Sequence, residues 1–360
     1  MNKRFERHLL IPDWNQAQLS NATVIIVGMG ALGNEVARIL AMAGVGKLII
    51  CDPDIIETSN LSRMTFFRPQ HVGQLKVDMA SQALQDLYPE IIIEKRPQFL
   101  IHGIGLAELR DASLVIGCLD SQAARLQLAG RCQLVQARYI DGGTHPWGGE
   151  VRMYLDPNGP CFGCGLSPEK RAIVDEPWSC LDQNDNLPEA AAIPSSALTG
   201  TWMGMMAVRL LMNLDCPDGT IKIDSVRGTS TIVKQQKDPN CTLHHPIPLE
   251  KVQKLNISVT GTFGALTKSL PEQAVPLSWS PIQTSLYCSK CKHSQKKWGM
   301  PSNEKCPKCD ALIHPRTTLE IKDVPDNITL ETLGIAPCEI IAVREENGLT
   351  WFELCDVFNV

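Results

Sequence analysis

"TVIIVGMGALGNEVARILAMAG", residues 23–44, decides the fold class of this chain. It begins as a β-branched apolar run, Thr23 to Val27, that breaks at Gly28. From Ala31 onward apolar residues recur at helical spacing as far as Gly44, the residue type that most often closes a helix. A Gly-x-Gly-x-x-Gly sequence becomes informative when a strand precedes it and a helix follows. In that context Gly28 permits a tight turn, Gly30 lets backbone approach a ligand, and Gly33 lets the helix pack close to the sheet. The next strand, "KLIICD" (47–52), ends on Asp52, placed to accept hydrogen bonds from ribose hydroxyls. These residues alone leave a nicotinamide cofactor and ATP both open.

Working outward, strand-like and helix-like segments alternate. "KVDMASQALQDL" (76–87) reads as a helix and "EIIIEK" (90–95) as a strand. "SLVIGCLD" (113–120) is another strand, followed by helical "SQAARLQLAGRCQ"; "RYIDG" and "GEVRMYL" are strands again. The apolar stretch "ALTGTWMGMMAVRLLMNL" (197–214) predicts a buried helix, and "TIKIDS" and "TSTIVK" an antiparallel pair. Continuous apolar strands separated by helices indicate a sheet covered on both faces. The expectation is an α/β, Rossmann-like, doubly wound and mostly parallel sheet with antiparallel strands at one edge. Near residue 250 the character changes. Residues 251–286 show weaker periodicity and several prolines, 287–318 are Cys-rich, and "TLEIKDV", "EIIAVRE" and "TWFELC" alternate like strands. Two domains are therefore expected, 1–250 and a C-terminal extension 251–360 with a small zinc-ribbon/β region at 287–315.

Composition excludes some classes. Hydrophobic residues make up 44% of the 360, enough for a sizeable core. Acidic residues outnumber basic ones, 39 to 34, which argues against a general nucleic-acid binder. No run of about 18 apolar residues is present, so no membrane span is expected. The basic "MNKRFERHLL" lacks an apolar run behind it and does not read as a signal peptide, which makes the cytoplasm the default address. The fourteen cysteines include three Cys-x-x-Cys pairs, which in such a chain favour metal binding over disulfides.

"SNLSRMTFFRPQHVGQLK" (59–76) bears on the choice of nucleotide. A dehydrogenase has no need of Arg63 and Lys76 there. A triphosphate does, because arginine binds phosphate oxygens in bidentate fashion and lysine supplies a compact charge. Asp120, at the C-terminal end of its strand, lies where such sheets bind ligands, and its carboxylate suits magnesium.

Several ordered motifs together carry a resemblance: "RFERH", "VIIVGMGALG", "GVGKLIICDPDIIETSNLSRM", "VGQLK", "GCLD" and "CFGC". Over residues 3–245 the chain resembles the ubiquitin-activating-enzyme superfamily, most of all the bacterial ThiF and MoeB adenylyltransferases. The resemblance implies that Asp52 binds ribose, that Asn60, Arg63 and Lys76 contact the phosphates of ATP, and that Asp120 helps to hold Mg2+. It implies that Arg7 reaches a phosphate from the partner subunit of a homodimer. His8 stands where the family usually has Gln. The implied reaction is attack by a carboxylate on the α-phosphate of ATP, giving an acyl-adenylate and pyrophosphate.

Two Zn2+ sites are expected. The family has a second Cys pair after its last strands; here "CTLHH" offers Cys241 and His244, with His245 as a substitute. With Cys161 and Cys164 these complete a Cys3His site. "CSKC" (Cys288, Cys291) and "CPKC" (Cys306, Cys309), fourteen residues apart, have zinc-ribbon spacing by themselves. Cys180 lies in the polar segment "DEPWSCLDQNDNLPEAAAIPSS", where family members often carry the cysteine that takes the activated carrier as a thioester.

The leading expectation is thus an enzyme that adenylates the C-terminal carboxylate of a small ubiquitin-like protein, forms a thioester on Cys180 and passes the carrier to a conjugating enzyme. The alternative is a sulfur-carrier adenylyltransferase of thiamine or molybdenum-cofactor biosynthesis without that thioester. A nicotinamide oxidoreductase and a non-enzymatic zinc scaffold rank behind. Bacterial relatives of the tagging enzymes occur in antiphage operons, so the resemblance also offers antiviral defence as a setting.

Overall fold

The structure, a computed structural model, describes residues 3–172 and 192–355. Cys180 lies outside these residues. The described chain forms two compact units.

The first comprises residues 3–100, 109–172 and 192–246. After a short helix α1 (Gln16–Ser20) come β1 (Thr23–Val27), α2 (Ala31–Ala43), β2 (Lys47–Cys51), α3 (Lys76–Leu87) and β3 (Ile92–Arg96). Short helices α4 (Leu100–Gly103) and α5 (Leu106–Asp111) precede β4 (Leu114–Gly117), α6 (Gln122–Leu134), β5 (Tyr139–His145) and β6 (Gly148–Tyr154). Then follow α7 (Pro168–Arg171), α8 (Ile193–Leu211), β7 (Thr220–Asp224) and β8 (Thr229–Val233). The sheet order is β3-β2-β1-β4-β5-β6-β7-β8. β3 to β5 are parallel, and β6, β7 and β8 continue the sheet antiparallel. This is the expected Rossmann-like architecture with antiparallel strands at one edge. The order reverses between β1 and β4, and such a switch point opens a crevice at the strands' C-terminal ends.

Burial explains the apolar runs. In β1 and β4 every apolar residue from Val24 to Val27 and from Leu114 to Ile116 is buried, as helices on both faces demand. α2 ends as its sequence predicts. Gly44 takes a left-handed conformation (φ +85°), donates to Ala41 O, and Val45 donates to Leu40 O.

The second unit comprises residues 101–108 and 247–355. Its strands are β9 (Gln253–Leu255), β10 (Val275–Tyr287), β11 (Ser294–Gly299), β12 (Glu304–Lys305), β13 (Leu312–Glu320), β14 (Ile340–Glu345) and β15 (Gly348–Leu354), with helix α9 (Phe263–Ser269) besides the parts of α4 and α5 within 101–108. The sheet runs β12-β13-β10-β14-β15-β9, and β11 pairs with β10. Its core gathers Leu266, Ile282, Leu330, Leu333, Val343 and Phe352. Residues 101–108 belong here because Glu339, 2% exposed, accepts from Leu106 N at 3.1 Å while Ala107 N donates to Cys338 O.

The sequence missed β10, the longest strand of this sheet, because two prolines interrupt it. Proline cannot donate to a ladder. Pro281 falls where β10 shifts register against β13, between Leu277 and Ile282. "TLEIKDV" was expected to be a strand throughout, but β13 ends at Glu320.

Candidate active site

The glycine loop crosses the switch point, and its three glycines meet three different constraints. Gly28 has φ +94°, and a Cβ there would lie 2.4 Å from Cys118 O, so the loops after β1 and β4 touch through backbone. A Cβ on Gly33 would lie 2.0 Å from Gly28 O. Gly30 has ordinary dihedrals, and its Cβ would meet nothing closer than Met64 Cε at 3.8 Å. Packing therefore requires glycine at 28 and 33 but leaves the face of Gly30 open.

Asp52 is 6% exposed. Its Oδ2 accepts from Met29 N at 2.6 Å and its Oδ1 from Asp54 N at 2.9 Å. Burial raises the pKa of this carboxyl, and the nearby Lys76 charge opposes the rise. The residue named as a ribose acceptor thus also holds the glycine loop by its own amide, a role the sequence did not disclose. Lys76, the first residue of α3, is buried; its Nζ lies 2.7 Å from Asp54 Oδ2 and 4.0 Å from Asp52 Oδ1.

The 59–76 segment folds over the loop. Asn34 of α2 donates to Met29 O at 2.8 Å and accepts from Phe66 N at 3.0 Å, tying loop and segment together. Asn60 is buried and closes a 3-10 turn, its Oδ1 accepting from Glu57 N at 3.1 Å. Arg63, half-buried, donates to Ser59 O at 2.9 Å. Asp120 is exposed, with no hydrogen bond or ion pair among the described residues.

Sequence reading missed the anchor beneath Asp120. Asp141 of β5 is 0% exposed. Its Oδ2 accepts from Arg125 Nη1 at 2.8 Å and from Arg152 Nη1 at 2.7 Å, and its Oδ1 from the Tyr139 hydroxyl at 2.9 Å. Arg125 also donates to Leu119 O, which fixes the backbone next to Asp120. The available signal was an aspartate at the end of a parallel strand, beside Gly117 in register.

Arg7 is not brought to this loop. Phe5, two residues earlier, sits where a Cβ on Gly44 would fall, 2.5 Å from Phe5 Cζ. Gly44 and Gly30 cap opposite ends of α2, whose 13 residues span about 20 Å. Arg7 is exposed and has no ion pair among the described residues.

The cysteine clusters assemble as spacing predicts. Cys161 Sγ lies 3.8 Å from Cys164 Sγ and 3.7 Å from Cys241 Sγ, and Cys164 Sγ lies 3.1 Å from His244 Nε2. His244, rather than His245, joins the group, and its ligand atom lies within 4.8 Å of the other three. Burial lowers the His244 pKa, favouring the neutral ring that binds metal. Cys288 and Cys309 are 3.5 Å apart, as are Cys291 and Cys306, and all four sulfurs lie within 4.8 Å. A tetrahedron with metal–sulfur bonds of about 2.3 Å has edges of about 3.8 Å, so both donor sets fit zinc.

The comparisons follow the same outline. The "Adenylyltransferase and sulfurtransferase MOCS3" of Drosophila yakuba is 32% identical over 257 residues, 68% of this chain and 54% of the relative. The Escherichia coli (strain K12) "Molybdopterin-synthase adenylyltransferase" is 28% identical over 244 residues, 66% of this chain and 94% of the relative. The chain thus spans about half the length of the first of these relatives. Among solved structures, E. coli MccB with ATP shares the fold at a TM-score of 0.56 and 21% identity, over 68% of this chain and 75% of that one. The model of the ThiF family matches residues 5–243, and the chain belongs to that family.

Proposed function

We propose that this protein uses ATP and Mg2+ to adenylate the C-terminal carboxylate of a small ubiquitin-like or sulfur-carrier protein ending in glycine. The observation that carries the reading is the gathering of an open Gly30 face, Asp52 and the buried Lys76 at the switch point, with the anchored Asp120 loop beside them. Asp52 offers its remaining lone pairs to the ribose. Asn60, Arg63 and Lys76 are assigned to the phosphates, and Asp120 would help to hold the magnesium that offsets their negative charge. Charge grows on the departing pyrophosphate as the carrier's carboxylate attacks the α-phosphate in line, so the residues' task is positioning and electrostatic stabilisation. Arg7, far from its own loop, is assigned to the partner's site in a homodimer. The adenylation domain is residues 1–250, with 251–360 as an extension. Cys161, Cys164, Cys241 and His244, and separately Cys288, Cys291, Cys306 and Cys309, are assigned to structural Zn2+.

Two fates of the adenylate are distinguished. In one, Cys180 takes the carrier as a thioester for a conjugating enzyme, as in ubiquitin-like tagging. In the other, a sulfur donor opens the adenylate; the names of the relatives, which include sulfurtransferases and a molybdopterin-synthase adenylyltransferase, favour this branch. A non-reducing gel with ATP, magnesium and a candidate carrier separates them. A thiol-sensitive adduct in wild type but not in Cys180→Ala supports the thioester. Carrier-dependent pyrophosphate release in both proteins without an adduct supports the sulfur-carrier branch. No pyrophosphate release with any carrier would overturn the adenylation reading.

A further inference from the structure

The chain carries net charge −5, but residues 288–316 reverse it, with seven Lys and Arg against Glu304 and Asp310. Those two acids are already ion-paired to Lys297 and Lys305. Lys290, Lys292 and Lys308 sit in or next to the Cys-x-x-Cys turns, where they would offset the net double negative charge of a zinc-loaded tetrathiolate. The remaining cations lie on a sheet face. On β10, Ser285 stands opposite Lys296 of β11 on one side and Arg316 of β13 on the other. Two residues along, Tyr287 stands opposite Ser294 and His314. Residues paired directly, or two apart, share a face. All six therefore line one three-stranded surface, while Leu286, on the other face, is buried in the ribbon core with Ile313. The Arg316 guanidinium lies 5.0 Å above the Tyr287 ring. Lys296 and Arg316 are exposed, and Lys296 has no partner among the described residues.

We propose that this face of the ribbon binds single-stranded nucleic acid, with Lys296 and Arg316 on backbone phosphates and the Tyr287–Arg316 stack as a platform for a base. The charge is complementary to phosphate, and the aromatic ring and guanidinium plane offer a base two flat partners. A duplex fits poorly, because this surface presents no helix or projecting ribbon to a groove. An acidic polypeptide would use the cations but not the stack. The acidity of the whole chain argues against general nucleic-acid binding, but the ribbon stretch "KCKHSQKKWG" is locally basic and carries a Trp.

The test is fluorescence anisotropy of a labelled twelve-nucleotide oligouridylate with the full zinc-loaded chain, between 50 and 200 mM salt. Wild type is expected to bind with steep salt dependence. Replacing both Lys296→Gln and Arg316→Gln should flatten the log–log salt slope by about 1.4, the value for two phosphate contacts on a single strand. Tyr287→Leu should weaken binding about tenfold with an unchanged slope. All three positions lie on the outer face, and zinc content by mass spectrometry verifies that the variants keep the ribbon. No binding at 50 mM salt overturns the proposal. So does unchanged affinity in the double variant, or equal displacement by a duplex of the same length. Displacement by polyglutamate, with Tyr287→Leu indifferent, would instead assign the face to an acidic polypeptide.

Discussion

Gly28 O lies 2.0 Å from the position a Cβ on Gly33 would occupy, so the first turn of α2 rests directly on the backbone of the loop. Gly30, between them, has no such neighbour within 3.8 Å. The motif thus separates into positions that packing requires to be glycine and one, Gly30, whose face packing leaves free. Gly33→Ala is expected to destabilise by about 1–3 kcal/mol through overpacking, measured by urea unfolding. Gly30→Ala is expected to unfold like wild type yet lose most of its ATP affinity in a calorimeter. Unchanged ATP binding in Gly30→Ala would remove the ligand from this face.

Asp141 is the keystone of the loop that carries Asp120. Removing it leaves the partly buried guanidiniums of Arg125 and Arg152 facing each other without their shared carboxylate, Arg152 keeping only Glu150 as an acidic partner among the described residues, and the buried Tyr139 hydroxyl without its acceptor. Asp141→Ala should therefore unfold at clearly lower urea than Arg125→Met, in which the Arg152 and Tyr139 bonds to Asp141 persist. Equal midpoints would show that the two guanidiniums do not converge on one carboxylate.

Arg7 and Lys76 are predicted to act in different subunits of one site. Each of Arg7→Ala and Lys76→Ala should lose pyrophosphate release on its own. Mixed after subunit exchange, they should recover about a quarter of wild-type activity, because half the dimers are mixed and each of these holds one intact site. No recovery sinks the shared-site assignment.

Two zinc ions per chain are expected by elemental mass spectrometry. Cys161→Ala and Cys306→Ala should each lose one, and Cys161→Ala should also lower Tm, since Cys161 and Cys241 are buried in the first unit. His245→Ala should retain both ions and His244→Ala only one. The reverse result would exchange the two histidines.

Glu320 bridges Lys322 at 2.6 Å and Arg344 at 2.7 Å. These hydrogen bonds, Lys322 first, hold its carboxyl down to about 2 from an ordinary 4.5. A depressed folded-state pKa gives stability that is present above about pH 4.5 and disappears as pH falls toward 2. Glu320→Gln should lower Tm at pH 6 and converge on wild type near pH 2. A constant difference across that range would mean that the pair does not titrate with folding.

The parallel core was legible because β-branched runs buried on both faces leave an unmistakable pattern, and because Gly28, Gly33 and Gly44 each answer a local steric demand. Cys161–Cys164 and the ribbon cysteines were legible because metal geometry fixes short spacings. The sequence by itself therefore determined the strand–loop–helix unit, the antiparallel edge and the paired cysteines. Tertiary structure alone decided the rest. Asp141 and Arg152 face each other across β5 and β6, and Arg125 joins them from α6, a convergence that sheet register creates and periodicity does not record. His244 and not His245 turns toward Cys164, a choice of side-chain direction in one loop. β10 continues through Pro281 because its register against β13 shifts there, so that missing donor falls where the ladder is already broken, while Pro276 stays in register with Val343 of β14. Arg7 lies a helix length from its own glycine loop because Phe5 packs at the far end of α2, a separation that depends on where the chain turns in space.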